Sequence, residues 1–169
     1  MITAVNAVAN GGVKVSPSII EGEATNDAGQ TVGTDRTTTE RVVSAEAARQ
    51  MMQMMERVPD PRTGTAPGAQ VPGYRVAGKT GTAQRANSAC KCYDGSLTVS
   101  FAGFAPADNP RFTVYVAIQD PKRNKGGGSL AGPVFSKVMS FLLRRYGVPP
   151  TGTKPSHLPV EWGPGRLTY

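Results

Sequence analysis

Lys79, Thr80 and Thr82 are the residues of this 169-residue chain best suited to chemistry. They stand in the run Arg75-Val76-Ala77-Gly78-Lys79-Thr80-Gly81-Thr82-Ala83-Gln84. A lysine there can put a cation beside a reacting hydroxyl or an anionic substrate group. On an extended backbone, residues two apart project from one face, so the Thr80 and Thr82 hydroxyls would point the same way. Gly81 between them has no side chain, so another backbone could approach closely. The N–H of Thr82 could be aimed at an oxygen on which negative charge develops.

The same residues also spell something else. Gly73 to Thr80 fits the phosphate-loop pattern G-x-x-x-x-G-K-[ST]. That loop needs a strand before its first glycine and a helix opening at its Lys-Thr, whose free N–H groups hold the phosphates. Neither is present. Pro59 to Pro72 is rich in Pro and Gly and reads as a loop. Gly81, a poor helix former, follows Thr80 directly. Tyr74, Val76, Thr80 and Thr82 instead alternate as in a strand, expected from about Tyr74 to Ala83. Nucleotide-dependent stabilisation would revive the phosphate reading. The plainest reading of three such residues is an edge strand with an exposed lysine and a loosely packed glycine, so the rest of the chain decides.

The elements around this strand can be read in order. Met1, Val5 and Val8 have helical spacing and Gly11-Gly12 supplies the stop, as in a helix already under way at residue 1 of a longer chain. Val13 to Ile20 alternates as a short strand, and residues 21 to 40 read as a loop or exposed hairpin. Ser44 is a good N-cap with Glu46 in the positive first turn. Ala48, Met51, Met52 and Met55 form the core stripe of the helix that follows. Helical spacing favours core packing of these methionines over a promiscuous groove or a copper site.

Past the motif, Arg85 to Gly95 reads as a polar loop and Leu97 to Ala105 as a strand. Pro106 to Pro110 is a turn. Arg111 to Gln119 is the clearest strand, with Phe112, Val114, Val116 and Ile118 on one face, and it should pair antiparallel with the strand before it. Gly126-Gly127-Gly128 reads as a hinge or linker. Pro133 suits the first turn of a last helix. Val134, Phe135, Val138, Phe141, Leu142 and Tyr146 are its expected apolar side, and Gly147 its stop. The order gives an α/β (α+β) class, an antiparallel sheet flanked by helices. Residues 1–148 are expected to be one domain and residues 149–169 a Pro-rich extended tail.

Composition excludes several classes. Thirty-eight per cent hydrophobic residues suffice for one core. The net charge of +7 is dispersed, densest at Lys122-Arg123-Asn124-Lys125 and Arg144-Arg145. No nucleic-acid motif accompanies it. No apolar run is long enough to span a membrane, and no signal peptide is present. Cys90 and Cys92 lack two further zinc ligands, and His157, the only histidine, is distant in sequence. The two cysteines could pair in an oxidising compartment, although a bridge across one residue would be strained. No cofactor is implied.

Lys79-Thr80-Gly81 also resembles the K-T-G element of the penicillin-interacting serine enzymes. Three runs, Val76 to Gln84, Ser100-Phe101-Ala102-Gly103-Phe104-Ala105-Pro106 and Ala117-Ile118-Gln119-Asp120-Pro121, carry the wider likeness. The opening segment through Gly12, with Val15 and Pro17, adds to it. With these runs the chain resembles the C-terminal half of the transpeptidase domain of class B penicillin-binding proteins. K-T-G-T-A-Q and the long last helix are most similar to the septal, cell-division members.

The resemblance implies part of a penicillin-binding/serine β-lactamase-like transpeptidase fold and a serine acyl transfer. The donor is a peptidoglycan stem peptide ending in D-Ala-D-Ala, which β-lactams mimic. Lys79 would support proton transfer and bind the substrate carboxylate. Thr80 and Thr82 would hydrogen-bond that carboxylate, Gly81 would stand between them, and the Thr82 N–H would be an oxyanion donor. The strand would pair with the bound peptide. Division-complex proteins would be partners, nucleic acid would not. The location would be the extracytoplasmic face of the cell membrane, anchored by an N-terminal helix outside this sequence.

One part of the family pattern is missing. Its nucleophilic serine sits in S-x-x-K and its helper in S-x-N. No S-x-x-K occupies a credible place, Ser136-Lys137 has the wrong spacing, and Asn87-Ser88 runs the wrong way. Two sheet strands and the serine-bearing central helix would lie upstream. The chain alone is therefore expected neither to react with nor to hydrolyse β-lactams, and to associate with the upstream part through the sheet. The alternative is a non-catalytic module that binds peptidoglycan or a partner.

Overall fold

The elements run α1 (Ile2–Ala9), β1 (Val13–Val15), β2 (Ala24–Thr25), β3 (Thr31–Val32), β4 (Thr39–Arg41), α2 (Ala45–Met55), β5 (Ala77–Asn87), β6 (Cys92–Ala105), β7 (Phe112–Gln119) and α3 (Gly127–Arg145). They belong to a computed structural model that describes residues 1–122, 126–156 and 158. The anticipated extended tail beyond Ser156, His157 included, lies outside the described residues except for Leu158, as do three of the four residues of the basic stretch at Lys122.

The class is α+β, as the element order implies. A three-stranded antiparallel sheet of order β5-β6-β7 forms the centre, with β5 at one edge. Phe112, Val114, Val116 and Ile118 pack from β7 against the main core. In it, Val76 and Phe101 meet Ala131, Phe135, Met139 and Leu143 of α3, and the Phe101 and Phe135 rings lie 4.7 Å apart. A smaller core on the other face joins Ala77, Ala102 and Phe104 to Val5 of α1 and Met55 of α2. The sheet is thus sandwiched between α3 and the α1–α2 pair. β1–β4 and β2–β3 form two short separate ladders.

Several local expectations hold. The Ser44 hydroxyl accepts the Ala47 N–H at the start of α2, and Gly147, with φ of 61°, follows the end of α3. Others need correction. The motif strand starts at Ala77 rather than Tyr74, because Gly73, at φ 84°, turns the chain and Tyr74 bridges back to Val71. It then runs on to Asn87, so most of the anticipated loop from Arg85 to Gly95 is hairpin, with only residues 88–91 in the turn. The β1 strand is also shorter than anticipated, ending at Val15.

The glycine stretch is not a linker. Gly126 caps α3, and Gly127 and Gly128 are its buried first turn, which leaves Pro133 well inside the helix. The buried side of α3 is Ala131, Phe135, Met139 and Leu143. The anticipated Val134, Val138, Phe141 and Tyr146 are exposed. Two neighbouring stripes on this helix are both apolar, and the sheet selects the one its glycine turn rotates inward. Likewise only Ala48 and Met55 of α2 are buried, Met52 is half-buried, and Met51 is exposed. Residues 149–156 of the tail have no helix or strand but are bound to the body by side-chain hydrogen bonds.

Candidate active-site strand

Among the described residues β5 pairs with β6 along one side only, so the main chain of Lys79 to Thr82 borders an open sheet edge. Residues directly opposite in an antiparallel ladder share a face. The register sets Thr80 opposite Phe101 and Thr82 opposite Val99, which places both threonines on the α3 side. Lys79 lies opposite Ala102, on the α1–α2 side. The threonine hydroxyls therefore share a face, as their spacing implies, and the lysine rises from the other. Any group contacting all three must sit at the rim of the strand.

Lys79 is exposed, and its Nζ donates to the Thr80 carbonyl at 2.8 Å. Among the described residues it forms no ion pair, so its charge is available to an incoming anion. Thr80 is half-buried and Thr82 exposed.

Gly81 has an internal reason to be glycine. A Cβ there would lie 2.5 Å from the Ser100 hydroxyl. On the other side, a Cβ on Gly127 would lie 2.4 Å from the Ser100 carbonyl and 2.6 Å from the Gly81 carbonyl. The first turn of α3 thus rests directly on the backbone of the motif, and Gly128 meets Thr65 in the same way. Gly78 admits the Phe101 ring edge, 2.3 Å from where its Cβ would be. The glycines of the motif let helix and neighbouring strand close on it, and the plain reading of a loosely packed edge glycine fails. The anticipated access of a substrate to Gly81 is left to its main chain along the open edge.

The phosphate reading also fails, because the strand continues through Lys79-Thr80 and no helix opens there. Sequence reasoning passed over one Ser-x-x-Lys spacing, Ser88-Ala89-Cys90-Lys91. It forms the exposed hairpin turn between β5 and β6, with Lys91 at φ 53°. Those residues are not on a helical turn that would set Ser and Lys side by side. Cys90 and Cys92 beside it are joined in a disulfide. Asn87 donates to Asp94 at 2.8 Å across the hairpin. Hydrogen bonds from Ser96, then Asn87, hold the Asp94 carboxyl far below its usual range.

A cleft of about 750 Å³ lies elsewhere, bordered by Glu56, Arg75 and Ser156, and no residue from Lys79 to Thr82 lines it. Volume alone would point away from the motif strand. Sequence pattern also gave no sign of Ser100, whose partnership with Gly81 depends on register.

The sequence matches the family described as penicillin binding protein transpeptidase domain over residues 1–140. It is 43% identical over 151 residues to penicillin-binding protein PbpB of Mycobacterium tuberculosis, an alignment that covers 85% of this chain and 22% of that protein. Peptidoglycan D,D-transpeptidase FtsI of Escherichia coli is 38% identical over 112 residues, covering 66% of this chain and 19% of its own length. The chain thus spans under a quarter of these curated relatives. Among solved structures, penicillin-binding protein 3 of M. tuberculosis in complex with aztreonam superposes with a TM-score of 0.74 at 40% identity, over 91% of this chain and 36% of that one. The transpeptidase domain of penicillin-binding protein 3 from Burkholderia pseudomallei gives 0.70 at 38% identity, over 90% and 43%.

Proposed function

The chain belongs to the penicillin-binding protein transpeptidase domain family, and from that premise we propose that it is the K-T-G-bearing part of a peptidoglycan D,D-transpeptidase of the septal, cell-division type. The observation that carries this reading is the placement of Lys79-Thr80-Gly81-Thr82 on an open edge strand, with the lysine exposed and without an ion-pair partner among the described residues.

In this reading a stem peptide ending in D-Ala-D-Ala lies along the free edge of β5 and adds to the sheet through main-chain hydrogen bonds. Its carboxylate sits at the rim, where the Thr80 and Thr82 hydroxyls donate to it from one side and the Lys79 ammonium attracts it from the other. The Thr82 N–H donates to the developing oxyanion, a contribution of about 3 kcal/mol where such donors have been removed. Lys79 also holds the proton balance around a serine nucleophile. A segment outside residues 1–148 carries that serine with its S-x-x-K and S-x-N neighbours, because the one S-x-x-K here is a hairpin turn. β-Lactams are taken as mimics of the same donor. Residues 1–148 are the domain part and residues 149–169 the tail. The extracytoplasmic face of the cell membrane, through an anchor outside these residues, is the location we assign. The Cys90–Cys92 disulfide fits an oxidising compartment.

A fluorescent penicillin is the direct test. It should label the full-length protein covalently, Lys79→Ala should lower the labelling rate about 100-fold or more, and the isolated 169-residue chain should stay unlabelled. Labelling of the isolated chain would overturn the assignment of the nucleophile. Unchanged labelling of the folded Lys79→Ala protein would overturn the role given to β5.

A further inference from the structure

Among the described residues Glu56 is the one buried charged side chain. It closes α2 and takes both prongs of the Arg75 guanidinium, at 2.7 and 2.8 Å. Arg75 stands two residues before β5 and four before Lys79. A carboxylate this deeply buried depends on its cation, since removing one partner leaves an uncompensated charge. Arg75 is also held through its backbone, whose carbonyl accepts the Ala107 N–H at 2.8 Å from the turn after β6.

A third segment converges on the same guanidinium. Arg75 donates to the Thr153 hydroxyl at 3.0 Å, and Thr153 in turn donates to Asp108, which lies 3.7 Å from Arg75. Burial pushes the Asp108 carboxyl up, but hydrogen bonds from Thr151 and Thr153 and the charge of Arg75 carry it below its ordinary value. Ser156 finishes the knot, giving its N–H and its hydroxyl to Glu56 Oε2 at 3.2 and 2.5 Å. Just upstream, the Tyr74 hydroxyl donates to the Val148 carbonyl at 2.5 Å. Residues from α2, from the β6–β7 turn and from the tail after α3 therefore all tie down the start of one strand.

Gly78 and Gly81 let Phe101, Ser100 and Gly127 approach, which blocks movement perpendicular to the sheet. The ladder with β6 holds the register of β5 along one edge, and its outer edge is open. A fixed anchor just before Ala77 adds a restraint at the end of the strand, against tilting toward the open edge.

We propose that Arg75 is the positioning residue of the Lys79–Thr82 strand, and that the tail segment Thr151–Ser156 is the strap that holds Arg75 in place. The proposal rests on the transpeptidase reading above for its effect on rate. A displacement of about 1 Å at a reacting group lowers rates by about 100-fold. Loosening the strap should thus slow acylation without unfolding the protein.

The test uses the full-length protein with Arg75→Ala, Arg75→Lys, Ser156→Ala and a truncation after Pro150. Penicillin acylation rates are measured at a temperature where circular dichroism shows each variant folded. Amide hydrogen exchange is read at Lys79 to Thr82. Arg75→Ala and the truncation should acylate about 10- to 100-fold more slowly and exchange faster at those amides. Ser156→Ala should shift both in the same direction by less, and Arg75→Lys, with charge but no fork, should fall between. A folded Arg75→Ala protein that acylates and exchanges like wild type overturns the proposal, as does a loss that merely equals the unfolded fraction. If wild type itself is not acylated, the transpeptidase reading falls. Exchange at Lys79–Thr82 then decides this proposal alone, faster exchange sustaining the strap and unchanged exchange removing it.

Discussion

β5 and β6 run side by side for their whole length, yet the two halves of their ladder are held together by different forces. In the inner half, Ala77 to Thr82 lie opposite Val99 to Phe104, with β7 as a third strand and helices on both faces. Val99, Phe101 and Phe104 are fully buried there. In the outer half, Gln84 to Asn87 lie opposite Cys92 to Leu97, beyond the last residue paired with β7 and past a shift in register after Gln84. Tyr93 there is 67% exposed. A two-stranded ribbon by itself is marginal in water, and this one relies on the Asn87–Asp94 hydrogen bond and the disulfide. The contrast shows how an edge strand can be both accessible and rigid. The candidate site occupies the part of β5 that is pinned from behind by Ser100 and Gly127, and not the part that projects farthest.

The comparison can be broken by mutation. Phe135→Ala removes the ring that meets Phe101 beneath the inner half. It should lower unfolding free energy by about 3–5 kcal/mol in denaturant titration of the full-length protein, and a loss under about 1 kcal/mol would mean that α3 does not hold the strand. Gly127→Ala is a test of sign. Helix propensity alone promises a gain of about 1 kcal/mol, whereas a methyl driven against the carbonyls of Ser100 and Gly81 should give a loss of about 1–3 kcal/mol. A measured gain would refute the contact between α3 and the motif. The smallest effect belongs to the outer half. Replacing Cys90 and Cys92 together by serine opens a loop of only three residues, for which chain entropy allows about 1.5 kcal/mol or less. A larger fall in the same titration would show that the hairpin is coupled to the core.

Much of the inner half was legible beforehand for a simple reason. Alternation in β7 and the small residues of Val76 to Ala83 are local patterns, and each constrains the backbone within a few residues. On α3 the sequence picks out Phe135, which is buried, but not the rest of the buried stripe, because Val134, Val138 and Phe141 are as apolar as Ala131 and Met139. Helical period cannot choose between adjacent faces when both are hydrophobic. Three glycines in isolation offer flexibility, so the sequence of residues 126–128 reads as a linker. Their buried role arises from Thr65, Gly81 and Ser100, all distant in sequence.

The sequence by itself determined the kind of chemistry available, a lysine with two same-facing hydroxyls on a strand, and the family whose motifs they match. Those signals are carried by residue type and by spacing of one or two positions, which the chain cannot rearrange. Only the tertiary structure decided that Lys79 and the threonines rise from opposite faces of an open edge. It alone showed that Gly81 is closed from behind by Ser100 and Gly127, and that Arg75 ties the strand to α2 and to the tail. Register and close approach between distant segments come from packing, and no local pattern encodes which backbone will press against a glycine.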